Sequence, residues 1–169
     1  HGDRGEGTDL LARLLVAEDP ETGRGMPEER IVGNIIAFLV AGFDTTALAL
    51  TWALYLIAQH PEWARRRREE VARVVGDDPV DGRHLKDLVV VEQVLNEALR
   101  LYPTAPVILR DIAEDVELAG VHIPAGTIGV VPIYTIHRHR GFWRDADRSA
   151  PARVAPESDQ QPSRYQFLP

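Results

Sequence analysis

The chain has 169 residues, 44% hydrophobic and 27% charged, which is enough length and apolar content to bury one core. Its formal net charge of -7 argues against a nucleic-acid partner, because binding phosphates takes lysine and arginine clustered on an exposed face. With no cysteine it forms no disulfide, and nothing near the start has the charged, apolar and cleavage-site order of an export signal.

The stretch from His1 to Thr8 is polar and glycine-rich, has no strand before it to make a phosphate loop, and reads as a frayed end. Asp9 to Glu18 follows as a short helix with Leu10, Leu11, Leu14 and Leu15 on one side, closed by a turn at Pro20, Gly23 and Gly25. Pro27 suits a first helical position, and Glu28 and Glu29 place negative charge at the positive end of the helix dipole. No proline interrupts before Pro61, so the spacing predicts one helix from Pro27 to Gln59, about 50 Å long.

Between Ile31 and Ile57 only Asp44 is charged, and a run of that length and apolarity is able to cross a bilayer. A carboxylate at mid-span costs about 2.5–3.5 kcal/mol on insertion scales, and Asn34, Thr45, Thr46 and Thr51 add to it. The run is therefore read as the central helix of a soluble core. Ala41 and Thr45 share a helix face, so the threonine hydroxyl can bond the Ala41 carbonyl and loosen the ladder there. Gly42 lets another body approach the backbone. A loosened helix bearing a small residue, an alcohol and a carboxylate suits a water or diatomic molecule and a proton relay. The plainer alternative satisfies Thr45 and Thr46 through their own backbone and places Asp44 in a buried salt bridge.

Pro61 starts a second helix running to about Val75, where Gly76 and Pro79 break it. Its basic run, Arg65 to Arg68, is followed by Glu69 and Glu70 and reads as a solvated face of mixed sign, with a docking surface for a redox partner as the alternative. A third helix is predicted from roughly Val90 to Tyr102. On it Glu97 and Arg100 are spaced to pair, while Val91, Val94, Leu95, Ala98 and Leu99 point elsewhere, so the pair taken alone is an exposed one. It gains weight only if a later segment covers that face, and Arg153 in Pro151-Ala152-Arg153 is the candidate partner.

After Pro103 the period alternates in Val107 to Ile112, Val116 to Leu118 and Val121 to Val131, with Pro124-Ala125-Gly126-Thr127 placed for a tight turn between two strands. Helices first and strands later predict an α+β architecture that is mainly α. The tail from Ser149 onward is irregular and rich in proline and glutamine.

In this order the motifs resemble those of the cytochrome P450 family, the haem-thiolate monooxygenases, from Asp9 to Pro169. Ala41 to Thr46 is similar to the oxygen-activation helix and Glu97 to Arg100 to the Glu-x-x-Arg motif. Pro124 to Thr127 resembles the Ile-Pro-x-Gly-Thr turn, His137-Arg138 the His-Arg that follows it, and Pro151 to Arg153 the Pro-x-Arg of the meander. Asn96 to Pro106 and the helix around Asp44 look most like bacterial fatty-acid-hydroxylating members.

The resemblance implies a partial fold of that family: a long central helix, two helices after it, a small β-hairpin region and the meander. It implies that residues 1–169 are a fragment of one such domain, lacking the N-terminal part and the cysteine loop that continues the family's Phe-x-Pro. By the same resemblance Thr45 with Asp44 would deliver protons to dioxygen at the haem. Ala41 and Gly42 would lie against haem b, Arg110 would pair with a propionate, and Ala105 and Val107 would border the substrate pocket. Glu97, Arg100 and Arg153 would form a structural triad. The implied partners are a small hydrophobic substrate, dioxygen, and a reductase or ferredoxin passing electrons from NAD(P)H, in the cytoplasm. No residue of the chain is expected to ligate iron, and His137 and His139 read as a surface or hydrogen-bonding pair. The chain alone is expected not to turn over; the alternative is a non-catalytic helical remnant that binds a hydrophobic ligand or partner.

Overall fold

Asp9, at the start of the described chain, accepts a hydrogen bond from the Ala12 amide at 2.9 Å and caps helix α1, Leu10–Val16. The computed structural model describes residues 9–155, 158–159 and 162–169, so the stretch from His1 to Thr8 lies outside it. Two compact units divide the chain, 1–46 and 47–169, and helix α2, Glu28–Gln59, contributes residues to each.

In the first unit, α1 buries only Ala12, and Leu10, Leu11 and Leu15 of the predicted apolar stripe are exposed. The predicted turn follows. The Asp19 carboxylate accepts from the amides of Glu21 and Thr22 at 2.9 and 2.8 Å, and Gly23 takes the left-handed conformation that glycine favours. Pro27 then leads into α2 as expected. By length and composition α2 is able to cross a membrane, and Leu39, Val40 and Phe43 on it are exposed.

In the second unit, Ala53 and Leu56 of α2 pack with Ala98 and Leu101 of α4, Val89–Leu101, flanked by Leu95 and Tyr102. Trp52 stacks on Tyr102 with ring centres 4.1 Å apart, which extends this core with aromatic surface. Helix α3, Pro61–Val74, keeps Arg65 and Glu69 exposed as an ion pair at 3.0 Å. Glu70 departs from the solvated-face reading. It is only 5% exposed, and its carboxylate accepts from the amides of Val90 and Val91 at 2.8 and 3.0 Å. Those are amide groups that the first turn of α4 cannot pair internally, so α3 supplies the cap of α4.

The predicted alternation resolves into strands β1 (Ile108–Asp111), β2 (Val116–Leu118), β3 (Val121–Ile123) and β4 (Ile128–Val131). β1 pairs antiparallel with β4, Ile108 opposite Val131, and β2 with β3, Leu118 opposite Val121. The run from Val121 to Val131 therefore divides between two sheets. Its turn, closed by Thr127 N–H on the Pro124 carbonyl at 3.3 Å with Gly126 at φ 80°, joins strands that do not pair with each other. The hairpin turn proper is Ala119-Gly120, both left-handed at φ 52° and 79°. A short helix α5, Ile133–His137, and a 3₁₀ turn at Pro151–Val154 complete an α+β architecture that is mainly helical.

Candidate functional site

The most densely bonded place in the second unit is built on α4. Val94, Ala98 and Leu101 face the core, which puts Glu97 and Arg100 on an adjoining face, and the chain from His137 to Ala155 wraps over it. Both side chains are 0% exposed, so the pair that looked superficial from its own helix is interior. Arg100 Nε and Nη2 donate to the two Glu97 oxygens at 2.8 and 2.9 Å, the bidentate geometry that suits a guanidinium and a carboxylate. Nη1 donates to the carbonyls of His137 and Ala146, both at 2.7 Å, and Nη2 also reaches the Arg148 carbonyl at 3.2 Å. Every nitrogen of this buried cation is thus engaged, as its burial demands.

Arg153 is the third member. Its Nε lies 3.5 Å from Glu97 Oε1, Nη1 donates to the Arg144 carbonyl, and Nη2 reaches the carbonyls of Asp145 and Arg148 at 3.3 Å each. Glu97 Oε1 also accepts the Ala150 amide at 2.8 Å, so one carboxylate ties α4 to the 3₁₀ turn. Burial foremost holds Arg153 below the usual arginine range; Glu97 opposes that shift and the charge of Arg100 adds to it. The 3₁₀ turn at Pro151–Val154 buries Pro151 and Arg153.

Two further residues of this site were not legible beforehand. Trp143 is fully buried, donates its indole N–H to the Ile136 carbonyl at 3.1 Å and lies 5.1 Å from the Arg100 guanidinium, a cation–π contact. Of the pair expected to be at the surface or hydrogen-bonded, His137 is fully buried and accepts the Leu168 amide at 2.9 Å, and His139 is exposed and accepts the Gly141 amide at 3.1 Å. The signal for Trp143 is its indole N–H, which in a core requires a partner; His137 sits in a helix too short to show a period.

The remaining candidates do not join this network. In the first unit Ala41, Gly42, Asp44 and Thr45 are exposed along α2. Thr45 Oγ1 donates to the Ala41 carbonyl at 2.6 Å, as its spacing predicts. The helix nevertheless stays α-helical through these residues, so the ladder is not opened: a threonine hydroxyl shares a carbonyl that already serves the backbone. Asp44 is exposed, which corrects the buried salt bridge, and a Cβ at Gly42 would meet no described part of the chain within 4 Å. In the second unit Ala105, Val107 and Arg110 are exposed on and just before β1, and Arg110 Nη1 donates to the Leu109 carbonyl at 2.8 Å.

The chain has no thiol, so it carries no thiolate donor of the kind implied by the family its motifs resemble.

The sequence model of the family described as Cytochrome P450 matches residues 3–169. A self-sufficient cytochrome P450 monooxygenase of Oidiodendron maius is 40% identical over 159 residues, covering 93% of this chain and 15% of that protein. A bifunctional cytochrome P450/NADPH–P450 reductase of Bacillus subtilis is 40% identical over 147 residues, 86% of this chain and 14% of its own length. Pentalenene oxygenase of Streptomyces avermitilis is 36% identical over 159 residues, 94% of this chain and 35% of its own length. The chain thus spans well under half of each of these relatives. A match over nearly all of its residues, together with a buried network built from the Glu-x-x-Arg and Pro-x-Arg positions, means that this chain belongs to the cytochrome P450 family.

Proposed function

We propose that this chain is a segment of a cytoplasmic cytochrome P450 monooxygenase that hydroxylates a hydrophobic organic substrate with dioxygen and electrons passed from NAD(P)H by a reductase. Haem b would supply the redox chemistry in the whole protein, with its iron held by a residue this chain does not contain. The segment alone does not turn over. α2 serves as a core helix of the larger protein, and Thr45 and Asp44 handle protons on it. Thr45 Oγ1 donates to the Ala41 carbonyl, leaving oxygen lone pairs to accept from a water that Asp44 can reprotonate. Ala41 and Gly42 offer a small-residue surface to a flat cofactor. Ala105 and Val107 border the substrate, and the Arg110 guanidinium suits a propionate.

The observation that carries this reading is the buried Glu97–Arg100–Arg153 network. It joins positions 53 residues apart through one carboxylate and draws its members from the Glu-x-x-Arg and Pro-x-Arg motifs. The test replaces the matched segment of the Bacillus subtilis relative by this chain. The chimera is expected to bind haem, to give a thiolate-type absorption band on reduction with carbon monoxide, and to consume NADPH. In it Thr45→Ala or Asp44→Asn is expected to lower product formation by about 10²-fold, the scale of a lost proton-transfer group. No band sinks the segment reading; a band with unchanged product in both variants sinks the roles of Asp44 and Thr45. The chain alone is expected to show no such band, and one there would overturn its inactivity.

A second reading, a non-catalytic remnant that takes a hydrophobic ligand or partner, is favoured by the exposure of Leu39, Val40 and Phe43, the last 76% exposed. Saturable binding of an apolar probe to the haem-free chain would support it.

A further inference from the structure

We infer that His137 is a positioning residue whose neutral imidazole latches the segment 162–169 onto the chain that wraps the buried arginines. The segment carries its own turn: the Gln166 amide donates to the Ser163 carbonyl at 2.9 Å, and the Ser163 amide to Gln166 Oε1 at 2.8 Å. Phe167 and Leu168 then attach that turn to the interior. The Leu168 amide donates to His137 Nε2 at 2.9 Å. The Phe167 ring lies 5.3 Å from the imidazole and meets Trp143 edge-on at 6.2 Å. His137 is fully buried, and its own carbonyl accepts Arg100 Nη1 at 2.7 Å. His137 therefore connects the segment to the Glu97–Arg100 pair, its ring bonded to Leu168 and its carbonyl to Arg100, with Trp143 as a second contact between Phe167 and Arg100.

Accepting at Nε2 commits the ring to one state, neutral with its proton on Nδ1. The surroundings favour the neutral form, while Nδ1 is itself buried with no partner in hydrogen-bond geometry among the described residues. Burial foremost lowers the His137 pKa and the charge of Arg100 adds to it, while the carbonyls of Leu99 and Arg100 oppose the shift. The charged groups around it are named readily. From α4 come Arg100 and its partner Glu97; from the 3₁₀ turn Arg153 reaches Glu97; beside the ring in sequence, Arg138 pairs with Asp147 at 3.1 Å. On the segment itself Arg164 is exposed and lies over Tyr165. Two guanidiniums against the one Glu97 carboxylate leave an excess of positive charge, which disfavours a second proton on the ring.

The sign follows. An unfolded histidine titrates near its ordinary value of 6.5 and the folded one below it, so the latch contributes fully above that ordinary value and is lost as pH falls through the lowered one. Protonated Nε2 is a donor and cannot accept the Leu168 amide. Acidification thus releases 162–169 while both arginines keep their charge.

The latch involves only this chain's own residues, so its test is separate from the chimera experiment. In the full chain labelled with nitrogen-15, ring-nitrogen shifts of His137 and hydrogen exchange of the Leu168 amide are followed together as pH is lowered. At neutral pH the ring proton is expected on Nδ1, and Leu168 exchange is expected to be slowed about fivefold to tenfold relative to a free peptide. That slowing is expected to vanish in step with His137 titration. His137→Gln, whose side-chain oxygen can accept, should keep the slowing and lose the pH step; His137→Phe should lose the slowing at every pH. Protection of Leu168 that survives the titration, a ring proton on Nε2 at neutral pH, or undiminished protection in His137→Phe would overturn the inference. Should His137→Phe not fold, the wild-type titration and His137→Gln decide it alone.

Discussion

Replacing Glu97 by alanine removes the carboxylate that faces two buried guanidiniums. Arg100 loses the acceptors of its bonds at 2.8 and 2.9 Å, the Ala150 amide loses its acceptor at 2.8 Å, and Arg153 loses its ionic partner at 3.5 Å. Arg100 has no exposed surface and cannot turn to water instead. Breaking a buried ion pair costs about 3–5 kcal/mol, and orphaning an interior amide adds about 1–3 kcal/mol. Together they rival the whole stability of a domain, about 5–15 kcal/mol. The second unit is therefore expected to unfold, or to lose its fixed packing, in Glu97→Ala. The assay is urea unfolding followed by tryptophan fluorescence, with Trp143 lying against the network. At a slope of about 1–3 kcal/mol per molar urea, even the smallest expected loss moves the midpoint by ~1 M or more. Glu97→Gln keeps the volume and an acceptor for Ala150 but not the charge, so it should recover only a small part. A Glu97→Ala midpoint within about 0.3 M of the unmodified chain would refute the argument that this carboxylate is the counter-charge of the interior.

Other substitutions test separate elements. Glu70→Ala removes the cap that α3 gives α4 and should cost about 1–2 kcal/mol, read as faster amide exchange at Val90 and Val91. Ala119→Gly relieves a left-handed alanine at φ 52° and should stabilise the β2–β3 hairpin by roughly 1 kcal/mol, seen as a higher thermal midpoint. The Thr22 amide foremost, then that of Glu21, holds the Asp19 carboxyl below its ordinary 3.8. The turn from Asp19 to Gly23 should therefore be firmest above that ordinary value and loosen as pH falls through the lowered one, followed by the Thr22 amide shift.

What could be read from the residues divides by distance along the chain. Helices α2, α3 and α4 lie within a residue or two of their predicted ends because prolines and an apolar period mark them locally. The Thr45 to Ala41 bond was legible for the same reason, being one helical turn long. Burial of Glu97 and Arg100 was not, since it is imposed by carbonyls and amides 37 to 53 positions away, which no window on α4 contains. Glu70 misled in the same manner: it closes a charge run that reads as solvated, yet its partners are 20 and 21 residues downstream. The hairpin turn was hidden because Ala119 is not a turn-forming residue by type, and α5, with 5 residues, is too short to carry a helical signature. Asp44, Ala105, Val107 and Arg110 drew their proposed roles from family likeness, and within this chain their side chains lie open to solvent.

The two interior arginines grip main-chain oxygens at Arg144, Asp145, Ala146 and Arg148, and the last of these is shared by both. What they recognise is the path of the backbone, which any side chain compatible with that path can occupy. Substitutions at positions 144 and 148 can thus be accommodated without unseating Arg100 or Arg153, whereas Asp145, left-handed at φ 49° and with its charge acting on Arg153, is held by more than its carbonyl.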